Sequence, residues 1–246
     1  MRLLIIAVVF IGMTLFFWAC GGSKVELSKD KKIIKAAIKA HGGELYETVE
    51  LSFVFRERRY TAKNNKGLYE YTLTKEKDGQ AYFDVLTNDD FTREIDGKMI
   101  ELSEEDKLKY AGSLSSVIYF AQLPYKLEDP AIISEYKGTV EIKGQTYETI
   151  EIKFKEENGG QDHEDIYYYW INEKTKTVDY LAYKFLVNGG GVRFRSAYNP
   201  RVINGIRYQD YINYKAPYEM DLKTLPQEYE AGKLEELSKI ELEQVK

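Results

Sequence analysis

Residues 51–60 read Leu-Ser-Phe-Val-Phe-Arg-Glu-Arg-Arg-Tyr. At this point the spacing of apolar residues changes from 3.6 to 2, the mark of a strand with two unlike faces. Read as one strand, the run places Leu51, Phe53, Phe55, Glu57 and Arg59 on one side and Ser52, Val54, Arg56, Arg58 and Tyr60 on the other. The period of 2 continues through Tyr69, Tyr71 and Leu73, then Ala81, Phe83 and Val85. Turn signals separate such runs: Asp78-Gly79, Asp96-Gly97, Lys143-Gly144, Asn158-Gly159-Gly160, Asn188-Gly189-Gly190-Gly191 and Asn204-Gly205. Two-residue hairpin loops need positive φ, which these pairs supply. So many hairpins predict an antiparallel meander curled into an open barrel or half-barrel.

Upstream of this run the period is helical. Ser28 is a capping residue, Asp30 falls in the first turn, and Ile34, Ile38 and His41 share a face beside Ile33, Ala37 and Ala40. Gly42-Gly43 stops that helix. A second helix is expected in mid-chain, where Ser103-Glu104-Glu105-Asp106 resembles a capping box. Leu108, Ala111, Leu114, Val117, Ile118 and Ala121 then recur at helical spacing before Pro124. Pro226–Leu234 reads as a short last helix, and Ile240 with Leu242 as a closing strand, with an extension of that helix as the alternative. The fold class expected is therefore α+β, mainly antiparallel β, with the N-terminal and middle helices packed on a curved sheet. Residues 28–246 are expected to form a single domain, with a weak seam near Leu123–Asp129.

The first twenty residues have another character. Arg2 precedes an apolar run from Leu3 to Phe17, and Trp18-Ala19-Cys20 follows. The run is about 15 residues, short of the roughly 20 that span a bilayer comfortably. A lone cysteine at the end of such a run resembles the lipobox of bacterial lipoproteins, although Phe17-Trp18-Ala19 replaces the usual leucine and small residues. The resemblance implies cleavage before Cys20, acylation of its thiol and new amine, and a lipidated tether over residues 20–27. An uncleaved anchor helix is the alternative, and it leaves the rest of the chain on the same side of the membrane. Several acyl chains attach stably, at about 0.8 kcal/mol per buried CH₂. The expected location is the cell envelope, lipid-anchored, on the periplasmic side of the outer membrane, with surface exposure as the alternative.

Charge narrows the function classes. Loss of Met1–Ala19 removes Arg2 and no acid, so a net charge of −5 becomes −6. An acidic chain argues against nucleic acid, whose phosphates call for a basic surface. Cys20 is the only cysteine, so no disulfide forms within the chain. With 21 tyrosines the chain is rich in a residue that favours strands and half-buried surfaces with one wet end.

The order of these segments resembles a family. After the lipobox come Ala40-His41-Gly42-Gly43, Leu51-Ser52-Phe53-Val54-Phe55-Arg56, Tyr168-Tyr169-Trp170-Ile171-Asn172 and Val192-Arg193-Phe194-Arg195. This is similar to a family of bacterial lipoproteins described as a domain of unknown function. More distantly the chain resembles the lipoprotein-carrier fold, that of the periplasmic carrier and its outer-membrane receptor. That likeness implies a half-barrel whose concave side, lidded by helices, holds acyl chains.

Four groups of residues are candidates for function. If the Phe53 side of the first strand is concave, Phe53, Phe55, Tyr69 and Tyr71 would bury an apolar chain and Arg59 would meet its head group; the alternative is ordinary core with solvated charges. Asp162-His163-Glu164-Asp165 carries one histidine among three acids, and His163 with Asp165 would suit an envelope hydrolase. Against that, the run follows a Gly-Gly turn, where charges are usually solvated. His41, on an apolar helix face, reads as a core histidine. Tyr167, Tyr169, Tyr180, Tyr183, Phe185, Tyr208, Tyr211 and Tyr214 would either pack across strands or line a hydrophobic site. There is no G-x-S-x-G elbow and no glycine-rich phosphate loop before a helix, and the Asp162–Asp165 run, which could offer oxygen and nitrogen ligands to a metal, has no second histidine near it, so neither cofactor nor metal is expected. The partners expected are a membrane, through the anchor, and a lipid or other apolar small molecule. The function expected is non-enzymatic binding of such a ligand, with the hydrolase and a surface scaffold as alternatives.

Overall fold

The structure is a computed structural model that describes residues 26–155, 165–186 and 189–246. Helix α1 (Lys29–His41) leads into β1 (Glu50–Phe55), β2 (Arg58–Asn65), β3 (Leu68–Lys77), β4 (Gln80–Thr87), β5 (Phe91–Ile95) and β6 (Lys98–Met99). These six pair antiparallel in chain order and form the N-terminal sheet. After α2 (Glu104–Ala121) come β7 (Ile132–Ile142), β8 (Gln145–Phe154), β9 (Ile166–Asn172), β10 (Val178–Phe185), β11 (Gly191–Ile203) and β12 (Ile206–Ala216). Then α3 (Leu225–Glu230) precedes β13 (Glu235–Ile240). Strands β7 to β13 form the C-terminal sheet, again in chain order.

The end of the chain joins the two sheets. Beyond β13, Glu243 and Lys246 exchange backbone hydrogen bonds with Val54 and Ser52 of β1, at 2.7–3.2 Å. The outer edges, β6 and β7, do not pair with each other, so the curved sheet stays open. Open antiparallel curvature is the architecture expected from the meander of hairpins. Asp78-Gly79 and Asn204-Gly205 hold positive φ at both positions, as two-residue turns demand.

One hairpin corrects the reading of residues 51–60. The run is two strands, turning at Arg56 (φ 50°) and Glu57 (φ 61°). Phe53 then opposes Tyr60, and Val54 opposes Arg59. Arg59 therefore lies on the face opposite Phe53 and Phe55. No glycine or asparagine marks this turn, so nothing local announced it.

Helix α1 starts just after Ser28, whose side chain makes no capping hydrogen bond, whereas α2 begins with the cap its sequence suggests. The Ser103 hydroxyl accepts from the Asp106 N–H at 3.2 Å, a cap contact worth about 1 kcal/mol. Ile34, Ala37, Ile38 and His41 form the buried face of α1. Leu114, Ile118 and Ala121 are buried on α2, whereas Leu108 faces solvent.

The core has three parts. Helix α1 with Leu123 and Leu127 covers Ile150, Ile152, Tyr169, Ile171 and Leu181 on one face of the C-terminal sheet, here called inner. Helix α2 packs on Phe53, Tyr60, Tyr71 and Leu73 of the N-terminal sheet. Leu222, Leu225 and Leu234, around α3, cover the other face of the C-terminal sheet over Tyr168, Trp170, Tyr180 and Phe194. With both faces covered, β9 has no wet side, which explains its unbroken apolar run Tyr167–Ile171.

Candidate functional site

The sides of α2 diverge. Leu114 and Ile118 meet the N-terminal sheet, Ser116 and Phe120 turn toward the C-terminal one, and Val117 lies between, touching the N-terminal core and the cavity. Between that second side and the inner face of β10–β13 lies a cavity of about 560 Å³. Tyr183 and Phe185 come from β10, Arg193 and Arg195 from β11, Gln209, Tyr211 and Asn213 from β12, and Ser238 and Ile240 from β13. Phe55 and Arg56, at the end of β1, and Leu242 complete the wall with Ala121 and Leu237. Strand alternation explains this set. Tyr183 opposes Arg193, Arg195 opposes Asn213, and Asn213 opposes Ser238, so these side chains share one face.

The lining is apolar and cationic. Among the described residues it contains three arginines and no carboxylate. Each arginine lies against a ring: Arg56 is 4.9 Å from the Phe55 centroid, Arg193 is 5.1 Å from Phe185, and Arg195 is 4.3 Å from Phe120 and 5.1 Å from Tyr183. Cation–π attraction favours such placements, the more so away from water. Among the described residues the arginines paired with a carboxylate within 4.0 Å are Arg93 and Arg201, neither of which lines the cavity. Arg195 is 8% exposed, donates from Nη2 to the Tyr183 hydroxyl at 2.9 Å, and leaves Nε without a partner. The Asn213 Oδ1 is buried and also unpaired. Gln209 Nε2 donates to the Val178 carbonyl at 2.6 Å and to the Tyr211 hydroxyl at 2.7 Å, which fixes its amide. Burial pushes the Tyr211 phenol up to about 12, with the Gln209 hydrogen bond and then the Arg195 charge pulling the other way.

The residues singled out in sequence are dispersed. Phe55 lines the cavity. Phe53 is 0% exposed and stacks on Tyr60, with centroids 5.4 Å apart. Tyr71 is 4% exposed and stacks on Tyr69 at 4.5 Å, in the core under α2. Arg59, on the far face, donates to Gln244 Oε1 at 3.1 Å. The side chains that occupy the place imagined for it are Arg56, Arg193 and Arg195. Of the later aromatics, Tyr183, Phe185 and Tyr211 line the cavity; Tyr180 and Tyr214 belong to the opposite face, and Tyr167, Tyr169 and Tyr208 to the core.

His41 is a core residue, its Nε2 accepting from the Val178 N–H at 3.1 Å. Asp165 is buried and accepts from the Tyr167 hydroxyl at 3.4 Å. Cys20, the leader before it, and Asp162, His163 and Glu164 lie outside the described residues. Among the described residues no helix is long and apolar enough to cross a membrane, and no cluster of histidine and acidic side chains has the form of a metal site.

The model of DUF6503, a family of unknown function, matches residues 8–242. The chain belongs to that family. No curated protein matches this DUF6503 chain. Among solved structures it is similar to a LolA superfamily protein from Nitrosomonas europaea, at 13% identity and a TM-score of 0.48, covering 78% of this chain and 88% of the other. It is also similar to a DUF1329 family protein from Desulfovibrio piger (12% identity, TM-score 0.42, covering 77% and 87%). A third neighbour, from Vibrio parahaemolyticus, is described as an outer membrane lipoprotein-sorting protein domain (9% identity, TM-score 0.42, covering 81% and 98%).

Proposed function

We propose that this chain is an envelope lipoprotein, anchored through Cys20, that holds the apolar chain of an amphiphile in the cavity between α2 and the inner face of β10–β13. The carrying observation is the cavity of about 560 Å³, whose size falls in the range of small-molecule sites and whose wall is mostly apolar and aromatic. Phe55, Val117, Phe120 and Phe185 offer the contacts a hydrocarbon needs. Burying about ten CH₂ groups there gains roughly 8 kcal/mol before ordering costs are subtracted. Lipidation of Cys20 would keep the protein beside a bilayer, the reservoir of such molecules.

Val117 is the position to test, because its side chain faces the cavity while Leu114 and Ile118 make the buried contacts of α2. The neutral fluorescent probe N-phenyl-1-naphthylamine is expected to bind the wild-type protein saturably. Val117→Trp is expected to weaken that binding at least about tenfold, a loss of roughly 1.4 kcal/mol. Leu108→Trp, on the solvent side of the same helix, should bind as the wild type does. No saturable binding by the wild-type protein, or equal binding by Val117→Trp with its fold intact, overturns the reading.

A further inference from the structure

We propose that the amphiphile is anionic, and that Arg195, with Arg193 beside it and the Tyr183 hydroxyl, takes its carboxylate or phosphate head. This deepens the binding function proposed above and rests on it. Arg195 is nine-tenths buried in the cavity wall, and a guanidinium cannot shed its charge by losing a proton. Burial of an unpaired ion is unfavourable, and the usual remedy is an opposite charge with good hydrogen bonds. Here the wall supplies no carboxylate among the described residues.

The protein itself shows what such an arginine does when it has a counterion. Arg93 engages Asp84 side-on, Nε to Oδ1 at 2.6 Å and Nη2 to Oδ2 at 2.7 Å. In Arg195 the equivalent edge is half used: Nη2 meets a neutral phenol, and Nε meets nothing. The Tyr183 oxygen accepts from Arg195 and, among the described residues, its own O–H finds no acceptor, which leaves a second donor for the same anion. Phe120 and Tyr183 hold the guanidinium plane, so little freedom is lost on binding. Arginine forks match carboxylate and phosphate oxygens. Val117, Phe120 and Phe185 next to this cluster receive the chain.

The test is displacement of N-phenyl-1-naphthylamine by three twelve-carbon amphiphiles below their micellar concentrations: dodecanoate, dodecyl phosphate and neutral monolaurin. Acetate and inorganic phosphate serve as head groups without a chain. Dodecanoate or dodecyl phosphate should compete at least about tenfold more tightly than monolaurin. Whichever of the two is tighter identifies the head as carboxylate or phosphate. Arg195→Met should weaken the anions by about 10–100-fold while monolaurin and the probe change less than about threefold. Equal competition by all three amphiphiles, or equal loss of all three in Arg195→Met, overturns the anionic head and leaves the apolar cavity standing. Displacement by acetate or phosphate alone at similar concentrations overturns the combined head-and-chain site. Failure of every chain, and of the probe itself, overturns the binding function too. If Arg195→Met does not fold, the wild-type series of anionic against neutral amphiphiles decides the question by itself.

Discussion

Asp84→Ala is expected to lower the unfolding free energy by about 3–5 kcal/mol. Asp84 on β4 and Arg93 on β5 sit directly opposite each other, with side chains 2% and 7% exposed. Two hydrogen bonds of 2.6 and 2.7 Å join them, and the Tyr110 ring of α2 lies 3.7 Å from the Arg93 guanidinium. Removing the carboxylate strands a buried cation under the helix. Asp84→Leu combined with Arg93→Met should recover most of the loss, because no charge is then left alone. Urea denaturation checks this: the midpoint should fall sharply in the single variant and recover in the double one, with similar slopes. A single variant within about 1 kcal/mol of wild type would show that the pair is not buried as described.

His41 should make the protein acid-sensitive at a pH where carboxylates are still ionised. Desolvation, then the nearby Arg207 charge, lowers its pKa to about 3 in the folded state, against an ordinary value near 6.5. Between those values the unfolded chain binds a proton that the folded chain does not. Stability is therefore full above pH 6.5 and is lost progressively as pH falls toward 3, in total on the order of 5 kcal/mol. By pH 5 the loss is already about 2 kcal/mol. Burial raises the carboxyls of Asp30 and Glu151, but hydrogen bonds, chiefly from Ser134 and from Tyr168 respectively, outweigh it and leave both below their ordinary values. Their contribution is lost only below about pH 4.5, outside the interval from 7.5 to 5, and comparison with a His41 variant over that interval isolates His41. His41→Gln, which keeps an acceptor for the Val178 N–H, should be about 1–2 kcal/mol less stable at pH 7.5 yet lose little more on going to pH 5. The same drop between those pH values in both proteins would refute the assignment.

What the sequence made legible was local. Ser103 with Asp106, Gly42 after the Ile34/Ile38 face, and the turns at Asp78-Gly79, Asp96-Gly97 and Asn204-Gly205 each act over a few residues, and each is where it was expected; Asn158-Gly159-Gly160 and Asn188 lie outside the described residues. The turn at Arg56-Glu57 was missed because its residues carry no turn chemistry, and that single error moved Arg59 to the wrong face. The binding surface was hidden for a different reason. In Val192-Arg193-Phe194-Arg195 alternation reads as apolar inward and arginine toward solvent. The apolar side is buried, under α3 and its neighbours, but the arginine side is covered as well and faces the cavity beneath α2. When both faces of a sheet are covered, period 2 separates the faces without saying which is wet. Which tyrosines meet the cavity likewise depends on where α2 lies, a tertiary fact that no spacing encodes.

Photolabelling tests the cavity itself most directly. A fatty acid carrying a diazirine near its methyl end, photolysed on the full-length protein and mapped by peptide mass spectrometry, should label α2 around Val117 and Phe120, and β10 around Tyr183 and Phe185. Labels confined to the α3 face of the C-terminal sheet, or to the exposed face of β2, would contradict a ligand held beneath α2.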